Sequence, residues 1–576
     1  MSEPTPSAVD PITLEVVKNA LASTADEMAL VVMRSAYSPV VRDTMDYSTA
    51  LCDRRGRVVA QGLTLAVQLG TFPTVMGYVL AEFGERALPG DVYIANDPYG
   101  CGGQHLPDLY VIKPIFVDGA LEGWAATMAH HSDVGGIAPG SVAVHATEIY
   151  QEGLRIPLSK LVDGGVENVT LMRLIEANTR QPIHVLGDLR AQLAACAVGE
   201  RGLTALLERY GAAAHAYMDE LQWAAERTMR AEIAKLPDGV HTFTDWIDGV
   251  GETPEPIPIV VRVEIAGDEV VIDFEGTSPQ VEASVNCPVG MVRAACYCAL
   301  RGIVRVEMPN CEGYMNPIHV RAPAGTVVNP VLPAACGARG VIGYRVYDAI
   351  MGALAPLVPD RVIAAGEGGP TLIALGGYDA ERRPWGTTEV LVGSWGARAA
   401  LDGLEGVSNP LANLANQPVE LLEADIPIRM LRYGVEPDSG GAGRRRGGLA
   451  YVRSYEVLAD RALLTIRTDR RDHPPYGLDG GEHGAPSSNV VESGGERIVL
   501  PTMPMHASAL VRGDRFTHVA AGGGGYGDPR EREPAAVLED VLDGKVSVQA
   551  ARERYGVAVV DEALDLDATA ALRGAQ

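Results

Sequence analysis

Two runs that meet at an Asp-Gly pair constrain this chain more than any other feature. DLYVIKPIFV and LEGWAATMAHH, residues 108–117 and 121–131, flank Asp118-Gly119. Asp-Gly favours the two-residue turn whose twist matches that of antiparallel strands, so the segment is expected to be a β-hairpin. Asp108 stands ten residues before Asp118, and His130 eleven after Gly119. The hairpin therefore sets Asp108 beside His130. Side chains alternate faces along a strand, so only one of His130 and His131 shares a face with Asp108. His130 is preferred as a ligand, and His131 as a substrate contact.

The residues before the hairpin, NDPYGCGGQHLPD (96–108), form a Gly-rich turn that brings His105 next to Asp108. Polar residues on a loop held by a rigid sheet are well placed for function. One carboxylate and two imidazoles then converge. Asp46, in MDYSTALCD, is the preferred fourth donor, with Asp97 and Asp133 as alternatives. Two His and two Asp suit zinc first, and also manganese or iron. The competing reading is structural: these polar groups cap a tight turn, with Asp97 before Pro98 forming an Asx-turn. Cys101 has no activating base nearby in sequence and reads as a small apolar filler.

Helical and alternating patterns interchange along the rest of the chain. Asp10 and Pro11 open a helix whose Leu14, Val17, Leu21, Met28 and Val32 face the core. Another helix is expected over Phe72 to Phe83. Glycine (65) and proline (38) are plentiful and aromatics sparse at 5%. The expected fold class is α+β, with mixed and antiparallel sheets and packed helices in several layers of one interlocked body. The regions expected are an N-terminal α+β part carrying the metal site (1–170), a helical part (171–238), a central α+β part (239–426), a Gly-rich β part (427–528) and a helical tail (529–576).

Other classes are disfavoured. The net charge of -26 gives no basic face for nucleic acid. No apolar run is long enough for a membrane span. The opening MSEPTPSAVDP lacks signal-peptide features, and eight cysteines without a CxxC pair read as reduced thiols, so a cytoplasmic location is expected. The Gly-rich runs SGGAGRRRGG (439–448) and AAGGGGYGDP (520–529) match no phosphate-binding pattern and read as turn or close-packing glycines.

NDPYGCGGQHLPDLYV, AHHSDVGGIAPGS, PDSGGAGRRRGGL, RTDRRDHPPYGLDGG and AAGGGGYGDPRERE resemble hallmark segments of the hydantoinase B family, from about residue 10 to about 556. So do DPITLEVVKNAL, DYSTALCDRRGRVVAQG, SVNCPVGMVRAACYCALR and the arrangement of Asn329, Pro330, Pro333 and Arg339. The family includes the B-type components of ATP-dependent hydantoinases and lactamases, the C-terminal half of 5-oxoprolinase, and the α-type components of acetone and acetophenone carboxylases. The resemblance implies a hydantoinase A-type ATPase partner that binds ATP and phosphorylates the substrate, with two A-type and two B-type subunits expected to assemble. It also implies Asp46, His105, Asp108 and His130 as metal ligands. The expected reaction is opening of a cyclic amide, with His131 or Asp133 as general base. ATP-dependent carboxylation of a ketone is the alternative, and a non-catalytic scaffold for the ATPase the second. Two departures from the family stand near the expected site. Gln68 in AVQLG replaces a histidine, and PGSVAV replaces PGSMPP.

Overall fold

The computed structural model describes residues 9–367 and 371–574. Helix α1 (Pro11–Ser35) starts as its sequence demands: the Asp10 carboxylate accepts the Thr13 amide at 2.9 Å and Pro11 occupies the first turn. Val17, Leu21, Ala25, Met28 and Val32 form its buried stripe. Short helices follow at Pro39–Arg42 (α2) and Ala66–Leu69 (α3), and α4 (Phe72–Phe83) lies where it is expected.

The first sheet has seven antiparallel strands: β1 (Tyr47–Asp53), β2 (Val58–Gln61), β3 (Val92–Ala95), β4 (Asp108–Val117), β5 (Ala120–His130), β6 (Ser159–Asp163) and β7 (Val166–Glu167). Their order is β2-β1-β5-β4-β3-β6-β7. β4 and β5 form the expected hairpin, and Asp118 and Gly119 both take positive φ, 50° and 82°. The register pairs Asp108 with His130.

The sheet is buried on both faces, by different means. One face packs on α1 and on α6 (Pro182–Tyr210) through Leu51, Leu109, Val111, Ala125 and Ala129. The other presents Tyr93, Tyr110, Trp124 and Met128 to Phe72, Val75, Met76 and Val79 of α4. The expected helical region is three helices, α5 (Val169–Asn178), α6 and α7 (Ala213–Ile233). Pro182 starts α6, and Gly211, at φ 56°, ends it.

A second sheet runs β11-β10-β9-β8, from β8 (Gly239–Ile247), β9 (Ile257–Ala266), β10 (Glu269–Asp273) and β11 (Ile318–Arg321). Its apolar face packs on α8 (Val289–Ile303) and α9 (Gly340–Leu354). Every residue of α9 is buried. Such a helix can carry Arg345 and Asp348 only because their charges are met. Arg470 binds Asp245 through both terminal nitrogens at 3.1 Å and Asp348 at 2.6 Å, while Arg345 pairs with Asp469.

A third sheet spans the two sides of position 426/427. β12 (Thr371–Tyr378) pairs with β13 (Pro384–Leu391) and also with the strand Arg461–Arg467, so strands from both sides of that position share one sheet. A five-stranded sheet over residues 428–519 packs against it through Tyr455, Val457, Leu464, Ile466 and Phe516. The two Gly-rich runs lie against each other: a Cβ on Gly447 would stand 1.9 Å from the Gly523 carbonyl oxygen. Their glycines permit backbone to touch backbone. The tail beyond 529 contains, besides helices, a hairpin of Ala558–Val560 with Ala563–Asp565. No helix among the described residues is long and apolar enough to cross a membrane.

Candidate metal centre

β4 begins at Asp108 and β5 ends at His130, so the hairpin register delivers both to one end of the sheet. The preceding loop folds back on itself. The Asp97 carboxylate accepts the Tyr99 amide at 3.0 Å in an Asx-turn, and the Asp108 amide donates to the His105 carbonyl at 3.1 Å. His105 Nε2 thereby lies 3.0 Å from Asp108 Oδ1. The His105 and His130 rings sit 4.9 Å apart, and one donor atom from each of the three residues lies within 4.8 Å of the others.

The hydrogen bonds decide how these groups face each other. His105 Nδ1 is 3.0 Å from the Gly337 carbonyl oxygen, which can only accept. Nδ1 therefore carries the proton and Nε2 presents a lone pair. Burial lowers the His105 imidazole to about 4, with help from the Arg339 charge. Burial and neighbouring His105 lower His130 to about 3. Both rings are neutral near pH 7. Burial works to raise the Asp108 carboxyl, but the Arg339 charge overcomes it and holds it well below its ordinary value. A lone pair and a carboxylate thus face each other at 3.0 Å with no proton to share. His130 Nδ1 is also buried without a hydrogen-bond partner among the described residues. Two imidazole nitrogens and an ionised carboxylate turned inward in this way fit a divalent cation. The carbonyl bond to His105 is the outer contact that metal-binding histidines need.

Asp46 stands next to this cluster. Its carbonyl accepts the His130 amide at 3.0 Å, and its side chain borders the same cavity. Its carboxylate lies outside the group of three mutually close donors. Gln68 Nε2 donates to Asp46 Oδ1, and Gln68 Oε1 accepts Ser48 Oγ at 2.8 Å. Burial, and then the charge of Asp108, push the Asp46 carboxyl up to about 7.

The structure does not bring His131 and Asp133 to the cavity. Strand alternation turns His131 towards α6, where its Nε2 lies 2.9 Å from Gln192 Oε1. The Asp133 carboxylate accepts the amides of Gly135, Gly140 and Arg180 at 2.9–3.1 Å and binds the Arg180 guanidinium at 2.9 Å. These bonds tie a loop together and leave neither residue facing a substrate, so the geometry gives no support to the expected general-base role. Asp97 is likewise spent on its turn. Burial pushes the Cys101 thiol up to about 12, consistent with an inert filler.

Two residues that spacing did not reveal support the centre. Arg339 Nη2 donates to Asp108 Oδ2 at 2.5 Å and to Gln104 Oε1 at 2.9 Å. Glu152 accepts the amides of Cys336 and Gly337, at 2.9 and 2.6 Å, and so fixes the peptide whose carbonyl holds His105. Arg339 carries one signal in the sequence, its place in the Asn329–Arg339 family segment; Glu152 carries none.

The cluster opens into a cavity of about 70 Å³. His105, His130, Asp46 and Gln68 line one part, and Arg339, Tyr344 and Arg467 another. Val67, Val142, Met291, Leu372, Val390 and Leu414 supply an apolar wall. Gln68 and Val142, both at departures from the family pattern, therefore face this space.

The Hydantoinase B/oxoprolinase family pattern matches residues 10–529. The B component of a putative D-/L-hydantoinase from Pseudomonas sp. (strain NS671) is 35% identical over 590 residues, covering 98% of each chain. The crystal structure of an ATP-dependent caprolactamase from Pseudomonas jessenii superposes with a TM-score of 0.91 at 33% identity, over 99% of this chain and all of that one. A nucleotide-free acetone carboxylase shares the fold, with a TM-score of 0.89 at 18% identity, over 98% of this chain and 83% of that one. With its α+β sheets, its hairpin and its three converging donors in place, the chain belongs to the hydantoinase B/oxoprolinase family.

Proposed function

We propose that this chain is the metal-carrying B-type component of an ATP-dependent enzyme that opens cyclic amides, working with a separate A-type component that binds ATP and phosphorylates the substrate. The carrying observation is the trio His105, Asp108 and His130, of which His105 and His130 line a cavity of about 70 Å³. The names of its relatives, the B component of a hydantoinase and an ATP-dependent caprolactamase, support the substrate class and the division of labour.

Zinc is the preferred ion, with manganese or iron compatible with the same donors. When bound, such an ion supplies Lewis-acid polarisation of an oxygen and lowers the pKa of water. The protein's own residues do the rest. Arg339 keeps Asp108 ionised, and the Gly337 carbonyl keeps the His105 lone pair turned inward. Asp46 would be the fourth donor in this reading, and Gln68 engages its Oδ1. The wall of Val67, Val142, Met291, Leu372, Val390 and Leu414 takes the methylene part of a ring and keeps bulk water away.

Co-expression with an A-type component tests this. ATP turnover should be stimulated by hydantoin, 5-oxoproline or caprolactam, and should yield the ring-opened product. Turnover that depends strictly on bicarbonate with acetone would replace hydrolysis by carboxylation. Purified chain without a stoichiometric divalent metal, or full activity after His105→Ala with Asp108→Ala, would leave only a scaffold.

A further inference from the structure

The start of α9 faces the cavity together with two guanidiniums. Gly340 is the first residue of this fully buried, 15-residue helix, and Arg339, Gly340 and Tyr344 all line the cavity. No side chain caps this terminus. The first amides of a helix carry partial positive charge and favour an anion. Here the charge lies in a buried site, where screening by water is weak.

A second observation points the same way. Arg339 is only 9% exposed, and its Nε is buried with no hydrogen-bond partner among the described residues. Its Nη2 is committed to Asp108 and Gln104, which leaves Nε and Nη1 without a protein partner among the described residues. The Arg467 guanidinium enters the same space from the third sheet. A Cβ on Gly340 would stand 3.9 Å from Arg467 Nη2 and 3.4 Å from a Tyr344 ring carbon. Burial, and then the charge of Arg339, lower the Arg467 guanidinium to about 10, as two crowded cations require. Two buried guanidiniums and a helix terminus in one cavity, beside a cluster that takes a cation, make a place for a multiply charged oxyanion.

We propose that the N-terminus of α9, with the guanidiniums of Arg339 and Arg467, is an anion subsite that takes the phosphoryl group of the activated substrate. The identification as phosphoryl rests on the proposed function; the anion subsite itself rests on the geometry. Bound there, the phosphoryl group sets the attached ring carbon towards His105, Asp108 and His130, with the apolar wall behind the ring. The planar guanidiniums and the tetrahedral oxyanion supply the match in shape.

Inorganic phosphate is the probe, titrated calorimetrically into the full-length chain after chelation and again with one equivalent of zinc. Phosphate should bind the metal-free chain. Arg467→Met should weaken it by about tenfold or more, and Arg467→Lys by less, as expected for loss of a charge-assisted bond. Zinc affinity should stay within about twofold of wild type in both, because Arg467 is not a ligand. No phosphate binding without zinc overturns the subsite, and so does equal affinity in Arg467→Met that melts like wild type. Acetate binding as tight as phosphate overturns the phosphoryl assignment. Ring opening with the A-type component is scored separately. If it fails while phosphate binding follows this pattern, the proposed reaction falls and the anion subsite stands.

Discussion

Two of the buried polar clusters among the described residues are built on opposite principles. Around Arg470, two guanidiniums meet the carboxylates of Asp245, Asp348 and Asp469, and cation faces anion at each contact. Around His105, a neutral imidazole and a carboxylate both turn electron pairs to the same point, and a second imidazole nitrogen has no partner among the described residues. The first cluster is closed by its own charges and joins α9 to the sheet above it. The second is left open towards a cation. Burial alone does not separate the two clusters; whether each charge meets an opposite partner does.

The comparison breaks first, and most severely, at Arg470. Arg470→Met leaves Asp245 and Asp348 buried without their partner, so stability to urea should fall by about 3–5 kcal/mol. Metal affinity of the folded fraction should not change. If the variant instead loses metal at unchanged stability, the two clusters are not independent. At the open cluster the effects should reverse. Asp108→Asn should lower zinc affinity at least about 100-fold, or about 2.7 kcal/mol. The rise in melting temperature that zinc gives the wild type should vanish with it, because that rise follows from binding to the folded state alone.

Glu152 sharpens the comparison, since it acts through a peptide. Glu152→Gln should lower zinc affinity by about tenfold, the scale of an outer-shell contact. A lower melting temperature with unchanged zinc affinity would make Glu152 structural only. A further effect, outside both clusters, is on pH dependence. His518 is buried against Asn489, and burial lowers it to about 4, below the ordinary value of about 6.5. The unfolded chain then takes up a proton that the folded chain refuses. Stability from this residue is therefore present above about pH 6.5 and lost as pH falls towards 4, by up to about 1.4 kcal/mol per unit. Urea titrations of the metal-free chain and of His518→Gln across that range should differ by this slope; parallel curves would refute it.

Much of the open cluster was legible in the sequence because its geometry is local. An Asp-Gly turn and strand alternation suffice to pair Asp108 with His130 and to turn His131 away. The first helix is legible for the same reason, from its cap, its proline and its apolar spacing. The supporting residues are not. Arg339 reaches Asp108 across 231 residues and Glu152 reaches Gly337 across 185, and no local pattern records such contacts. Asp133 misleads because a carboxylate near a histidine looks catalytic, whereas three amides and Arg180 consume it. Glycine content changes near 426/427, and the third sheet pairs strands from both sides of that position, a long-range contact that composition does not record.

The way the cavity is closed also sets when it comes into being. Its walls come from the first sheet, from α9 and from the third sheet, and Arg467 follows His130 by 337 residues. At ribosomal rates of about 5–20 residues per second, about 17–67 s pass between synthesis of the last triad residue and of Arg467. During that interval the hairpin and its donors stand without their far wall, open to whatever ions the surroundings hold. On the proposed reading, the choice of metal is exposed to local supply before the chain can enclose it.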